Sequence, residues 1–260
     1  MQKLLAPFAV ATVLLAACAP NQGPRYSDNV IDRALAGAAG AAQPSRIVAT
    51  EIAFSRAARE DGQWTAFREF AADGAVLHGR GGPIEAKPWL AAQDDPSQAV
   101  QWGPRSVWMS CDGGTAVSQG RFRDPAGQVG TFVTVWERQR SDGYRWVYDA
   151  GAPDNPQPPP RRVADPPSED EIVVSGESPI IGLVADCRRG EGAATAPPAL
   201  SIPDGIRHGA MLSRDGTLRW HWEHGGADAR RVVVEYWKNG AWETALDHTF
   251  AAQPPASPAG

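Results

Sequence analysis

Between Val100 and Asp149 the chain alternates with a period of two, broken three times by turn residues, and this leaves few folds open. Val100 to Cys111, Thr115 to Phe122, Gly130 to Gln139 and Tyr144 to Asp149 each predict a strand. "DGG" at Asp112, "DPAG" at Asp124 and "SDG" at Ser141 supply the Asp, Pro and Gly that tight reversals need. Four strands joined in this way make an antiparallel sheet. Alternation places Phe132, Thr134 and Trp136 on one face of their strand and Val133 and Val135 on the other.

Helical spacing precedes the strands. Ser45 follows Pro44 and is predicted to cap a helix from Arg46 to about Asp61, ended by Gly62. Ile47, Phe54 and Ala58 form its apolar stripe, widened by Val48 and Ile52. "QWTAFREF" predicts a second helix with Trp64, Phe67 and Phe70 as its apolar side. A strand candidate runs from Ala75 to His78, and "EAKPWLAAQ" predicts a short third helix that packs Trp89 and Leu90 inward.

The order helix, helix, strand, helix and four strands resembles the nuclear transport factor 2-like superfamily, and within it the SnoaL-like proteins. The resemblance is carried by "ATEIAFSRAAREDGQWTAFREFAADGAVL", Trp89, "GTAVSQGRF", "FVTVWERQ" and "YRWVYDAG", and spans about Ser45 to Gly151. It implies an α+β fold, with a cone-shaped curved antiparallel sheet wrapped on helices and a cavity at its open end. Such cavities serve isomerases, cyclases, dehydratases and plain binding proteins, so the fold does not choose among them. Many members pair through the sheet face, which implies a homodimer. Steroid-isomerase-like members keep a basic carboxylate just past the first strand; here that place holds His78, Gly79 and Arg80.

Beyond the sheet lies "APDNPQPPPRRVADPPSED", too rich in proline for a core and read as a semi-rigid linker over 153–170. A smaller β-rich segment over 171–250 follows. It holds "EIVVSG", "IIGLVADC", and strands near Arg207 to Leu212, Thr217 to Glu223, Arg231 to Trp237 and Ala241 to Leu246. Asn239-Gly240 is its strongest turn signal. Residues 251–260 read as a disordered tail.

The N-terminus reads as an address. Lys3 is followed by an apolar run from Leu4 to Ala17, too short to span a bilayer and suited to a signal peptide over 1–17. "LAAC", Leu15 to Cys18, resembles the bacterial lipobox, in which the cysteine becomes the lipidated N-terminus. The alternative is an ordinary cleavage nearby with Cys18 incidental. Lipidation would anchor the chain to the membrane through residues 18–44 as a tether. With Ala19 rather than Asp after the cysteine, the resemblance implies the periplasmic side of the outer membrane. Cys111 and Cys187 are then the two thiols left in an oxidising compartment, which points to a disulfide; separate buried cysteines are the alternative.

Candidate chemistry is sparse. His78 has an unperturbed pKa near neutrality and is a candidate base, or else a rim histidine. Asp149 ends the last strand beside Tyr148 and Trp146; if it points into the cavity, desolvation makes it a candidate acid or base, and otherwise it is a strand-end carboxylate. Gln119 and Arg121 share a strand face and, with Trp136, are candidate ligand contacts; a solvated face is the alternative. In "HWEH", strand geometry gives His221 and Glu223 one face and His224 the other, which argues against one shared metal ion. "GRGGP" lacks the lysine and the context of a phosphate loop, and no nucleophile elbow or CxxC occurs, so no metal and no cofactor is expected. The net charge of -5 offers no footprint for nucleic acid. The sequence thus predicts an outer-membrane-anchored lipoprotein that binds a small apolar ligand or a protein partner. The alternatives are an isomerase- or dehydratase-like enzyme using His78 and Asp149, and a structural envelope protein.

Overall fold

The computed structural model describes residues 42–140, 143–159, 179–187, 196–226 and 229–250. The expected signal peptide, Cys18, most of the tether, most of the proline-rich linker, the "EIVVSG" strand and the tail lie outside them. Three helices and eleven strands make up the described elements: α1 (Pro44–Glu60), α2 (Gln63–Phe70), β1 (Ala71–Gly79), β2 (Gly82–Glu85), α3 (Ala86–Ala91), β3 (Gln101–Met109), β4 (Thr115–Arg123), β5 (Val129–Gln139), β6 (Gly143–Pro153), β7 (Ile181–Val184), β8 (Arg207–Leu212), β9 (Leu218–His224), β10 (Arg230–Lys238) and β11 (Ala241–Phe250). None of these helices is long and apolar enough to cross a membrane.

The first helix begins one residue before the expected cap. Gln43 stands at the N-cap and Pro44 inside the first turn, where its fixed φ fits and its missing N–H is no loss. Ser45 is therefore helical rather than a cap. The buried face of α1 is Ile47, Glu51, Phe54, Ser55 and Ala58, whereas Ile52 is 49% exposed. The stripe does not widen through Ile52, and it carries a glutamate.

The first sheet has seven strands in the order β2-β1-β6-β5-β4-β3-β7. It is mixed and not antiparallel throughout: β1 runs parallel to β6, and β7 parallel to β3. Parallel neighbours need a long connection, and β2, α3 and β3 to β5 between β1 and β6 provide one. "IIGLVADC", expected in the second β segment, thus supplies an edge strand of the first sheet. The second sheet is an antiparallel meander, β11-β10-β9-β8. Its β10–β11 reversal is the expected Asn239-Gly240, with φ of 51° and 81°, the pair of positive values that a type I′ hairpin turn demands.

Alternation along the central strands, reset on β6 between Trp146 and Tyr148 by a register shift against β5, sorts two cores. Ile47 and Phe54 of α1, Leu90 of α3, and Val107, Met109, Trp136 and Trp146 of the sheet pack on the helical side. On the outer side Val117, Val133, Val135 and Tyr148 pack against Leu218, Trp220, Val232, Val234 and Phe250 of the second sheet. The outer face through which a homodimer was expected to form is therefore covered by the chain's own β9–β11.

Cys111 and Cys187 are bonded, with Cα atoms 5.1 Å apart. The bond joins the end of β3 to the chain leaving β7. Neighbouring contacts tie the same corner to the second sheet: Cys111 N–H donates to Thr217 Oγ1 (3.0 Å), Asp112 N–H to Asp215 Oδ2 (2.9 Å) and Asp186 N–H to the Trp237 carbonyl (2.8 Å).

Candidate functional site

A cavity of about 330 Å³ lies between the three helices and the inner face of the first sheet. Seven of its lining residues carry Phe or Trp rings, drawn from α1, α2, α3, β3, β4 and β5. Each is set by local chemistry. The N-terminus of α2 lacks a cap of its own, and Asp95 supplies one from a distance. Its carboxylate accepts from Trp64 N–H (2.5 Å), Thr65 N–H (3.1 Å) and Thr65 Oγ1 (2.6 Å), which holds Trp64 at the wall. Gln63 Oε1 accepts from Val100 N–H at 2.9 Å and ties α2 to the approach of β3. Phe122 and Phe132 lie on glycines of the facing strands. A Cβ at Gly120 would stand 2.5 Å from the Phe132 ring, and one at Gly130 2.2 Å from the Phe122 ring, so only glycine admits both rings. Ile84 and Trp89 are partly exposed at the mouth.

Asp149 is the charged group of this wall. It follows Tyr148 on β6, so alternation turns it inward while Tyr148 turns outward. Thr134, its register partner on β5, donates to Asp149 Oδ2 at 2.6 Å. Burial pushes the Asp149 carboxyl up to about 6, against the lowering effect of the Thr134 bond.

Glu51, which the sequence reading passed over, lies behind the wall. It is 0% exposed, and its carboxylate accepts from Ser118 Oγ at 2.5 Å and from Trp102 Nε1 at 3.1 Å. Ser118 in turn accepts from Trp136 Nε1 at 2.9 Å. Burial pushes Glu51 up to about 7; its hydrogen bonds to Ser118 and Trp102 oppose the shift and the charge of Asp149 adds to it. The signal was present in the spacing. Ile47, Glu51, Phe54 and Ala58 fall at i, i+4, i+7 and i+11, so a glutamate occupies a core position of the stripe.

His78 lines the same cavity as Asp149 but turns its ring nitrogens away from it. It borders the cavity, but its ring lies on the outer side, 2% exposed, against Trp222 and Tyr148. Its Nδ1 is 2.7 Å from Tyr148 Oη and its Nε2 is 3.0 Å from His224 Nδ1. Burial, reinforced by the positive charge of Arg230, lowers its pKa to about 3, so the ring is neutral at physiological pH. Arg230 Nη1 donates to the His78 carbonyl at 2.6 Å. His78 is thus one link of a polar seam between the two sheets; it lines the same cavity as Asp149, but both of its ring nitrogens are engaged on the outer side.

The other candidates divide in the same way. Gln119 and Arg121 do share a face, but it is the face of Val117, turned from the cavity. Arg121 forms an ion pair with Asp154 and donates to Thr131 Oγ1 at 2.5 Å. Trp136 is wholly buried below the cavity, bonded to Ser118 rather than lining it. His221 and Glu223 share a face, 3.3 Å apart, on the side of β9 opposite His224. Among the described residues no three His, Cys, Asp or Glu side chains are grouped to hold a metal ion. The second sheet contributes nothing to the cavity wall among the described residues; it braces the back of the sheet.

No protein family and no curated protein matches the chain. Solved structures similar to part of it include a candidate Ca/calmodulin-dependent kinase II association domain from Exiguobacterium sibiricum. That match has 20% identity and a TM-score of 0.32, and covers 44% of this chain and 96% of that one. Another is a nuclear transport factor 2-like superfamily protein from Salmonella enterica serovar Typhimurium, with 11% identity and a TM-score of 0.31, covering 53% of this chain and 97% of that one.

Proposed function

We propose that this protein is a lipid-anchored binding protein of the bacterial cell envelope, holding a small and mainly apolar ligand in the cavity of a cone-shaped, nuclear transport factor 2-like domain. The observation that carries the reading is the cavity: mainly apolar, with seven Phe and Trp rings and a single carboxylate in its wall. A concave apolar pocket with few polar groups is what small-ligand sites share. Asp149 supports it a second way. A half-buried carboxylate pushed up to about 6 weakens the fold at neutral pH, and groups of this kind in a cleft mark functional sites. The enzymatic alternative now rests on Asp149 alone, as a base poised near its working pH.

The test uses a neutral fluorescent probe, N-phenyl-1-naphthylamine, and the variant Gly151→Leu. A Cβ at Gly151 would stand 3.5 Å from the Thr131 carbonyl oxygen and 3.6 Å from Phe122 and Phe132, all ordinary contacts, so the leucine enters the cavity without a backbone clash. Probe affinity is expected to fall about tenfold or more. Unchanged affinity would place the probe elsewhere and end the reading.

The anchor rests on "LAAC" and is tested separately. Cys18→Ala is expected to move the protein from the membrane fraction to the soluble periplasm and to abolish labelling by a clickable fatty acid. Full membrane retention of this variant would overturn the lipoprotein assignment.

A further inference from the structure

The charge of the cavity has one sign. Among the described residues its wall holds no lysine or arginine. Of its four polar side chains, His78 has both ring nitrogens engaged on the outer side of the sheet, and Thr134 donates to Asp149. Gln63 keeps only its amide N–H groups as a neutral donor, because its oxygen takes the Val100 N–H. That leaves Asp149, with one carboxylate oxygen bonded to Thr134 and the other without a bond to any described residue. Glu51 lies behind the wall and does not line the cavity; its two carboxylate oxygens accept from Trp102 and Ser118. Three described arginines lie near this end of the sheet, and none lines the cavity: Arg121 pairs with Asp154, Arg207 donates to the Gly81 carbonyl, and Arg230 donates to the His78 and Gly151 carbonyls.

The remaining wall is apolar: seven indole and phenyl rings, with Trp64, Trp89 and Trp102 among them, beside aliphatic residues such as Leu77, Ile84 and Val100. Aromatic faces attract cations through the ring quadrupole, tryptophan most strongly, and the attraction grows when water is excluded. An anion would meet Asp149 unscreened. A neutral apolar ligand would leave a buried carboxylate without a counter-charge, which is unfavourable. Resting on the binding-protein reading above, we infer that the ligand is a small organic cation. It is a tertiary or quaternary amine with apolar substituents, its ammonium centre against Asp149 and its substituents among the tryptophan rings.

The experiment compares two molecules of one shape, benzyltrimethylammonium and its carbon isostere neopentylbenzene. Each is titrated into the full periplasmic chain and followed by the indole N–H resonances of Trp64, Trp89 and Trp102. The cation is expected to bind about tenfold or more tighter than the isostere. That preference is expected to vanish in Asp149→Asn, whose amide oxygen still accepts from Thr134. It is also expected to fade as pH drops from about 7.5 to about 5, where Asp149 takes up its proton. Equal binding of both molecules, or a preference that survives in Asp149→Asn, would overturn the cation assignment and leave the binding-protein reading standing. Binding of neither molecule, with no response from the three indoles, would overturn both.

Discussion

Cys111→Ser with Cys187→Ser is expected to lower the stability of the protein by about 4 kcal/mol, the loop-entropy value for a bond that closes a sequence separation of 76 residues. For a folded part of this size that corresponds to a fall of about 10 °C in the unfolding midpoint. The loss should be global and should not appear as release of the second sheet. That sheet is held by Leu218, Trp220, Val232, Val234 and Phe250 against the outer face of the first, an apolar interface that the bond does not create. The disulfide staples a corner where β3, β7 and the β10–β11 turn already meet through Asp186 and Lys238, 2.6 Å apart. Neither cysteine lines the cavity, so probe binding should survive in the double variant. Calorimetry of the oxidised wild type beside the variant measures the change. Equal midpoints would show that the loop is already restrained without the bond.

Glu51→Gln should act in the opposite direction and depend on pH. The folded-state value of about 7 lies above the ordinary 4.5, so the folded protein holds this proton more tightly than the unfolded chain. The stabilising effect of the bound proton is fully present below about pH 4.5 and is lost as pH rises through about 7. By pH 8 the ionised, buried Glu51 costs about 3 kcal/mol. Glutamine removes the charge and keeps the shape. Its Oε1 can accept from Trp102 Nε1 and its Nε2 can donate to Ser118 Oγ, whose own proton then turns to the Thr134 carbonyl, 3.4 Å away. The variant should therefore match the wild type near pH 4 and exceed it by about 3 kcal/mol near pH 8. Urea unfolding at both values decides the matter. A glutamine variant less stable at both would show that the Ser118–Glu51–Trp102 network depends on the full carboxylate and not on its protonated form.

Much of this molecule follows from its residues taken in order. Two-residue alternation in "FVTVWERQ" decides that Phe132, Thr134 and Trp136 share a face, because a strand admits no other arrangement. Asn239-Gly240 decides a tight hairpin, because both residues tolerate positive φ. Local rules also place a glutamate on the apolar stripe of α1, between Ile47 and Phe54. What local rules do not contain is the partner of each face. Alternation says that Gln119 and Arg121 lie together; it does not say that the helices take the other face and a second sheet covers theirs. The same holds for His78 and His224, which meet across 146 positions because the second sheet folds back onto the first. The mixed strand order has this origin too. β7 adds parallel to β3 through hydrogen bonds that any extended segment could make, so its place is chosen by packing and by the Cys111–Cys187 bond. Short-range sterics and hydrogen bonding therefore determined the elements and their faces. Long-range burial alone decided which face became a cavity with Asp149 inside it, and which became the interior of a sandwich with His78 sealed within.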